Sequence, residues 1–250
     1  MKLSGKRALI TGGTRGIGAA IALDLASQGV DVAINSRTQD DAADETIKAL
    51  QQYGHRVCFV AANMAVGEDA RRCVTETVAE LGGLDILVHN AGGPASGKIE
   101  DLTAEQWHNA FDVHVHAAFH LCQEALPELR KNSEGSIIFM SSVAGIRGCP
   151  GALVYGTVKG TILHFTRMLA RDLADDNIRV NCVNPGIIRT RFHEKMTSEA
   201  QAHNLANRIP LHREGTSEQV AEAVRLLVTN DFMTGESITV DGGMSMQVTR

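Results

Sequence analysis

Residues 6–29 read KRALITGGTRGIGAAIALDLASQG, and three textures follow one another within them. Ala8 to Thr11 form an apolar run of the kind a buried strand shows, glycines follow at positions 12, 16 and 18, and apolar residues then recur at helical spacing. A strand, a glycine turn and an amphipathic helix in that order bring the N–H groups of a helix N-terminus to the end of a strand. That is where a pyrophosphate is held. Gly12, Gly16 and Gly18 allow the tight turn, the close approach of backbone to phosphate and the packing of helix on strand, with Thr14, Arg15 and Ile17 between them. The spacing is Gly-x-x-x-Gly-x-Gly, not the commoner Gly-x-Gly-x-x-Gly.

Outward from this stretch the same alternation continues. Strand-like runs at roughly 6–11, 31–36, 56–61, 84–89, 136–141, 178–183 and 237–240 are separated by helical patterns, which predicts one parallel sheet with helices on both faces. No linker, repeat or low-complexity tract divides the 250 residues, so a single domain over 1–250 is expected. A net charge of −5 without a Lys/Arg cluster argues against a nucleic-acid surface and toward small-molecule partners. Cys58, Cys73, Cys122, Cys149 and Cys182 are widely spaced with no C-x-x-C pair and read as reduced thiols. Met1-Lys2-Leu3 runs directly into the first strand and no apolar stretch approaches membrane-spanning length, so a cytoplasmic location with no membrane partner is expected.

Chemistry concentrates further on. Tyr155 and Lys159 stand four apart in GALVYGTVKGTILHF and share one helical face. A cation beside a phenol favours the phenolate and lowers its pKa, which lets Tyr155 trade a proton with a carbonyl or alcohol. Ser142 ends the apolar run SIIFMSS, where its hydroxyl becomes a second donor to the same substrate oxygen. Exposed helices also carry a Tyr-x-x-x-Lys pair by chance, so the pair alone does not decide. A cofactor signal lies at the end of the second strand, VDVAINSR, where an acid would bind a ribose 2′-OH and repel a 2′-phosphate. Ser36 and Arg37 stand there, and Arg15 lies within reach, so two guanidiniums with no carboxylate suit NADP(H), with NAD(H) still possible.

Taken together, the glycine turn, Asn90-Ala91-Gly92 after LDILVH, Ser142, Tyr155-x-x-x-Lys159, Asn184-Pro185-Gly186 and Val240-Asp241-Gly242-Gly243 resemble the short-chain dehydrogenase/reductase family over essentially the whole chain. The resemblance implies a Rossmann-type, doubly wound α/β fold and hydride transfer between a nicotinamide and a carbonyl or alcohol carbon. It also implies cofactor contacts from Asn90, Ala91, Gly92, Pro185, Gly186, Ile188 and Thr190, with Lys159 on the nicotinamide ribose. Two departures stand out. Asn63, in AANMAV, occupies the position where the family usually packs an Asp on the adenine. His114, seven residues after Trp107, replaces the Asn that holds a water for proton relay. An imidazole of ordinary pKa near ~6.5 could run such a relay itself, or merely fill the helix.

The resemblance further implies a substrate lid at about 187–212 and a homotetramer joined through the long helices and the carboxyl-terminal strand. Arg191, His193, His203, Asn204 and Arg208 make the lid sequence polar, which favours a small polar carbonyl or alcohol. Two alternatives remain. One is a 3-oxoacyl-[acyl-carrier-protein] reductase, against which the acidic run Asp172–Asp176 and the segment Arg130–Glu134 are expected to set a repulsive rim. The other is a dinucleotide-sensing regulator without turnover, against which the intact Ser, Tyr and Lys speak. His116, His120 and Glu124 form a four-residue stripe read as an interface or solvated face, with no metal expected.

Overall fold

The computed structural model describes residues 1–190 and 196–246. Its strands are β1 (Arg7–Thr11), β2 (Asp31–Ser36), β3 (Val57–Ala61), β4 (Ile86–His89), β5 (Gly135–Met140), β6 (Ile178–Pro185) and β7 (Ser237–Val240). They form one parallel sheet in the order β3-β2-β1-β4-β5-β6-β7. Every expected strand is present, with its ends displaced by at most two residues.

The helices are α1 (Gly16–Ser27), α2 (Asp41–Gln51), α3 (Gly67–Leu81), α4 (Ala104–Phe111), α5 (Ala117–Leu129), α6 (Leu153–Asp172), α7 (Ser198–His203) and α8 (Ser217–Thr229). On one face α3, α5 and α6 pack Val74, Leu121 and Ile162 against Phe139 and Val180; on the other, α1 and α8 pack Ile21, Leu25, Val224 and Leu227 against Ile10 and Ile138. Strands covered on both faces are buried at every position, which is why β4 and β5 carry the unalternating apolar runs Ile86–Val88 and Ile137–Met140.

Local sequence sets where most helices begin. Thr103 and Gln106 form a reciprocal cap for α4, Thr216 and Gln219 do so for α8, and Asp40 accepts from Ala43 N at α2. No side chain caps α1, and no acid lies in its first turn. From β1 the chain winds outward to β2 and β3, then returns to β4 on the other side of β1. A crevice therefore opens over the carboxyl ends of β1 and β4, where Thr11 lies opposite His89.

One element departs from expectation. The continuous helix expected around EQWHNAFDVHVHAAFH is interrupted by a π-helical turn, Asp112–His116, in which Ala117 N bonds to Asp112 O, five residues back. Two β-branched residues, Val113 and Val115, lie in this turn.

Candidate active site

Beyond β5 the chain turns sharply. Ser141 Oγ donates to Lys159 O at 2.8 Å, which docks α6 on the strand end. Ser142 follows and caps a short 3₁₀ turn, Val143–Gly145, its Oγ accepting from Ala144 N at 3.2 Å. A Cβ on Gly145 would lie 2.7 Å from the carbonyl carbon of Lys159, so only glycine lets this turn rest on α6. These contacts place Tyr155, in the first turn of α6, beside Ser142, with Lys159 one turn deeper.

Lys159 is buried and its Nζ donates to Met140 O at 2.8 Å, 5.6 Å from the centre of the Tyr155 ring. Burial lowers the lysine pKa to about 8. Burial also pushes the Tyr155 phenol up to about 12, with the hydrogen bond to Ser142 only partly opposing it. The expected depression of the phenol by Lys159 is therefore not found: burial dominates, and the ammonium is turned to the Met140 carbonyl. At neutral pH the phenol keeps its proton.

His114 sits in the π-helical turn, 3 % exposed, edge-on to the Tyr155 ring at 5.9 Å between centres. Its Nε2 donates to Gly93 O at 3.2 Å. A Cβ on Gly92 would lie 2.2 Å from His114 Cε1, so the glycine of Asn90-Ala91-Gly92 and the imidazole interlock. Burial first, then the charge of Lys159, holds the His114 pKa down to about 2. Both burial and the neighbouring Lys159 ammonium disfavour the imidazolium, which argues against a relay that charges this ring near neutrality.

The glycine turn is held from below. Asn90 Nδ2 donates to Thr11 O and Gly12 O at 3.2 and 3.0 Å, and Thr11 Oγ1 accepts from Asn90 N and Ala91 N. Gly12 has φ +61°, and a Cβ on Gly18 would lie 2.1 Å from Gly12 O, so neither position admits another residue. Thr14 is buried, its carbonyl bonded by Thr46 Oγ1, and Ile17 packs on the core. The uncapped start of α1, free of acidic side chains, fits a pyrophosphate. On the far side of the crevice, Pro185 ends β6 and Gly186 packs on Asp241. Ile188 is buried, and Thr190 lies against Gly16.

The 2′-phosphate corner differs from expectation. Arg37 is exposed and Ser36 Oγ donates to Thr38 O at 2.7 Å. Arg15, however, is ion-paired with Asp40, whose carboxyl it holds below the usual range. A carboxylate does stand at this corner, contributed by the N-cap of α2 and not by the end of β2. Asn63 turns inward, its N–H donating to Asp69 and its Oδ1 accepting from Ala65 N at 3.1 Å.

The substrate side also departs from expectation. Arg191 and His193 lie outside the described residues. Of the other polar lid residues, Asn204 is buried, donating to Met196 Sδ and accepting from Arg208 at 2.9 Å, while His203 bonds Asn207. Against the start of α6 opens a cleft of about 640 Å³ whose walls include Lys98, Ile99, Ile146, Arg147, Cys149, Leu153 and Gly156, but not Tyr155, Ser142 or Lys159. Asn204 and Arg208 bond each other, and the exposed side chains of the cleft are both apolar, Ile99, Ile146 and Leu153, and charged, Lys98 and Glu100.

The acidic rim is misplaced too. Arg130 pairs with Asp176, and Gly135 N bonds Asn177 O, where β5 and β6 begin. Within one chain this is the end of the sheet opposite to Ser142. The histidine stripe has partners of its own: His116 bonds Asp112, and Arg71 donates to His120 and lies 4.0 Å from Glu124. Among the described residues no three such side chains converge on a metal position, and no helix is long and apolar enough to cross a membrane.

Sequence reading missed Thr11, Asn35, Asp40 and His89. Asn35 Nδ2 donates to Val60 O and Ala62 O at 2.9 and 3.1 Å, tying β2 to β3 below the glycine turn. The available signal was a lone polar residue inside an apolar strand, Asn35 in VDVAINSR and His89 in LDILVH.

A family described as enoyl-(acyl carrier protein) reductase matches residues 12–245. Dehydrogenase/reductase SDR family member 4 of Oryctolagus cuniculus is 36% identical over 245 residues, covering 96% of this chain and 94% of that protein. A 3-oxoacyl-[acyl-carrier-protein] reductase of Staphylococcus aureus is 34% identical over 248 residues, covering 98% of this chain and all (100%) of that one. Among solved structures, a short-chain dehydrogenase from Burkholderia cenocepacia in complex with NADP superposes with TM-score 0.90 at 34% identity, covering 98% of this chain and 99% of that one. The chain belongs to the short-chain dehydrogenase/reductase family.

Proposed function

We propose that the protein is an NADP(H)-dependent oxidoreductase that interconverts a ketone or aldehyde with the corresponding alcohol. The observation that carries this reading is the Tyr155 phenol, hydrogen-bonded to Ser142 beyond the end of β5, with Lys159 buried one turn deeper in α6. When bound, the nicotinamide supplies the hydride. The first turn of α1 and Asn90-Ala91-Gly92 would hold the cofactor, and Lys159 would bind its nicotinamide ribose. Ser142 Oγ and Tyr155 Oη receive the substrate oxygen, and Tyr155 gives its proton to the developing alkoxide. A phenol that stays protonated through the neutral range suits reduction. His114, neutral, braces the Tyr155 ring. The NADP complex of the Burkholderia relative supports the cofactor assignment, as do Arg37 and Arg15.

Ile99, Ile146 and Leu153 of the cleft favour a carbonyl carrying an apolar arm over the compact polar substrate that the lid sequence suggests. The second reading, a 3-oxoacyl-[acyl-carrier-protein] reductase, draws support from the Staphylococcus relative and from Lys98 and Arg147 of the cleft. Tyr155→Phe removes only the proton donor. Turnover of a simple diketone with NADPH is expected to fall by ~10²-fold or more with NADPH binding kept; an unchanged rate overturns the assignment. Acetoacetyl-carrier turnover far above that of free ketones promotes the second reading.

A further inference from the structure

Past β6, three separate segments meet at one buried carboxylate to which the reaction above gives no role. Glu214 lies between the lid and α8 and is 8 % exposed. Its Oε2 accepts from Arg189 Nε at 3.2 Å, and its Oε1 accepts from Gln201 Nε2 at 3.0 Å. Arg189 stands in the segment that leaves β6, and Gln201 in the lid helix α7. A carboxylate taken out of water needs donors of this kind. Both donors are exposed, so neither is placed there to fill a core.

The backbone brings Glu214 to this point from both sides. Gly215 N donates to Ile187 O at 3.0 Å and Arg189 N to Gly215 O at 2.9 Å, a short parallel bridge beside the carboxylate. On the lid side His212 holds φ +50°, in the left-handed region that a non-glycine residue rarely adopts. It is kept there by its N–H, which donates to Ile209 O at 2.8 Å, and by its Nδ1–H, which donates to Leu205 O at 2.7 Å. The chain thus turns back sharply between α7 and Glu214, and the carboxylate closes that turn onto α7. The residue after Arg189 is Thr190, whose Cγ2 lies 3.3 Å from where a Cβ on Gly16 would stand. One carboxylate therefore fixes the lid helix to a segment that itself rests on the glycine turn.

We propose that Glu214 is a positioning residue that clasps α7 to the segment after β6, so that the lid is set over the substrate in register with the turn that holds the cofactor. This rests on the reading of the protein as an NADP(H)-dependent oxidoreductase of carbonyls and alcohols. The two fail separately: a fully active Tyr155→Phe sinks that reading whatever Glu214 does, and cleavage of the lid by trypsin reports on the clasp without turnover.

The test compares Glu214→Ala, Glu214→Gln and Gln201→Leu with the native protein by kcat and KM for one diketone with NADPH. A second readout is trypsin cleavage after Arg208, at the end of the π-helical turn Asn204–Arg208 that follows α7. Glu214→Ala is expected to raise the diketone KM ~10-fold, the scale of a hydrogen bond to a charged group. It is expected to leave kcat within ~2-fold, because Ser142, Tyr155 and Lys159 are untouched and the lost binding is shared by ground and transition states. Glu214→Gln still offers one carbonyl oxygen to Gln201 and is expected to restore most of KM. NADPH is expected to slow cleavage after Arg208 in the native protein and to leave it unchanged in Glu214→Ala. Native KM in Glu214→Ala, a loss of kcat with KM unchanged, a Gln form no better than the Ala form, or equal protection by NADPH in native and Ala forms overturns the proposal. Should the Glu214 variants fail to fold, Gln201→Leu decides, since that position is exposed. A KM raised ~3–5-fold together with faster cleavage after Arg208 supports the clasp; a native value of either refutes it.

Discussion

Two buried imidazoles and a buried ammonium share one pocket, and the cost of charging them falls on folding. His114 is held down to about 2 and His89 to about 4, burial coming first and the Lys159 charge second in both. In an unfolded chain both rings titrate near ~6.5. Between that value and the folded ones, the unfolded chain binds protons that the folded chain refuses, so stability falls as pH falls, by about 1.4 kcal/mol per pH unit for each ring. Above about pH 7 both are neutral in either state and contribute nothing to the slope. Lys159 has the same sign in another window: folded at about 8 and unfolded near ~10.4, it makes stability rise with pH between those values. The melting temperature is accordingly expected to drop steeply from pH 7 to pH 5, and His114→Asn to remove about half of that acid slope. Scanning calorimetry across this range checks it; equal slopes in the two proteins mean the ring is not held neutral. The pH–rate profile is expected to show no step near 6–7 from this ring.

At the scale of elements, the loop joining β2 to α2 decides the cofactor through its geometry more than through its composition. Asp40 caps α2 by accepting from Ala43 N at 3.1 Å and at the same time pairs with Arg15 across the mouth of the glycine turn. A 2′-phosphate must share Arg15 with that carboxylate and lie beside its charge. Asn caps a helix as well as Asp does, so Asp40→Asn removes the charge and keeps the helix. NADPH is expected to bind ~3–5-fold more tightly, the scale of one exposed ion pair, with NADH little changed. Equal gains for both cofactors, or none, mean the carboxylate does not compete. Arg37→Asp is expected to act in the opposite direction and favour NADH. None of this pairing was legible in the sequence, because Asp40 lies outside the strand end where an acid is sought and meets Arg15 only after the loop folds. The strands were legible because a doubly covered sheet forces unbroken apolar runs, and Tyr155 and Lys159 because a helix fixes which face residues four apart share. The break at Asp112–His116 was not, since widening a turn depends on what His114 meets across the molecule, namely Gly92, Gly93 and Tyr155.

For the whole molecule, one consequence lies outside the single chain. The layer formed by α5 and α6 buries Lys159 on its inner side, yet Phe119 and Met168 on those helices are 49 % and 53 % exposed. On the opposite side of the sheet order, Leu226 of α8 and Phe232, just before β7, are also exposed. Large apolar side chains left open on two separate surfaces are what an assembly with two kinds of two-fold contact requires. The family resemblance points to the same two surfaces, the long helices and the carboxyl-terminal strand. Light scattering is expected to give about four times the chain mass of 26.8 kDa. Phe119→Glu with Met168→Glu places like charges opposite their own copies across a two-fold axis, so the tetramer is expected to fall to dimers held by the other surface. Because Lys159 sits on the inner side of α6, those dimers are expected to keep NADPH binding while losing thermal stability. A native protein that scatters as a monomer, or a double variant that remains tetrameric, contradicts the assignment of these helices as a contact surface.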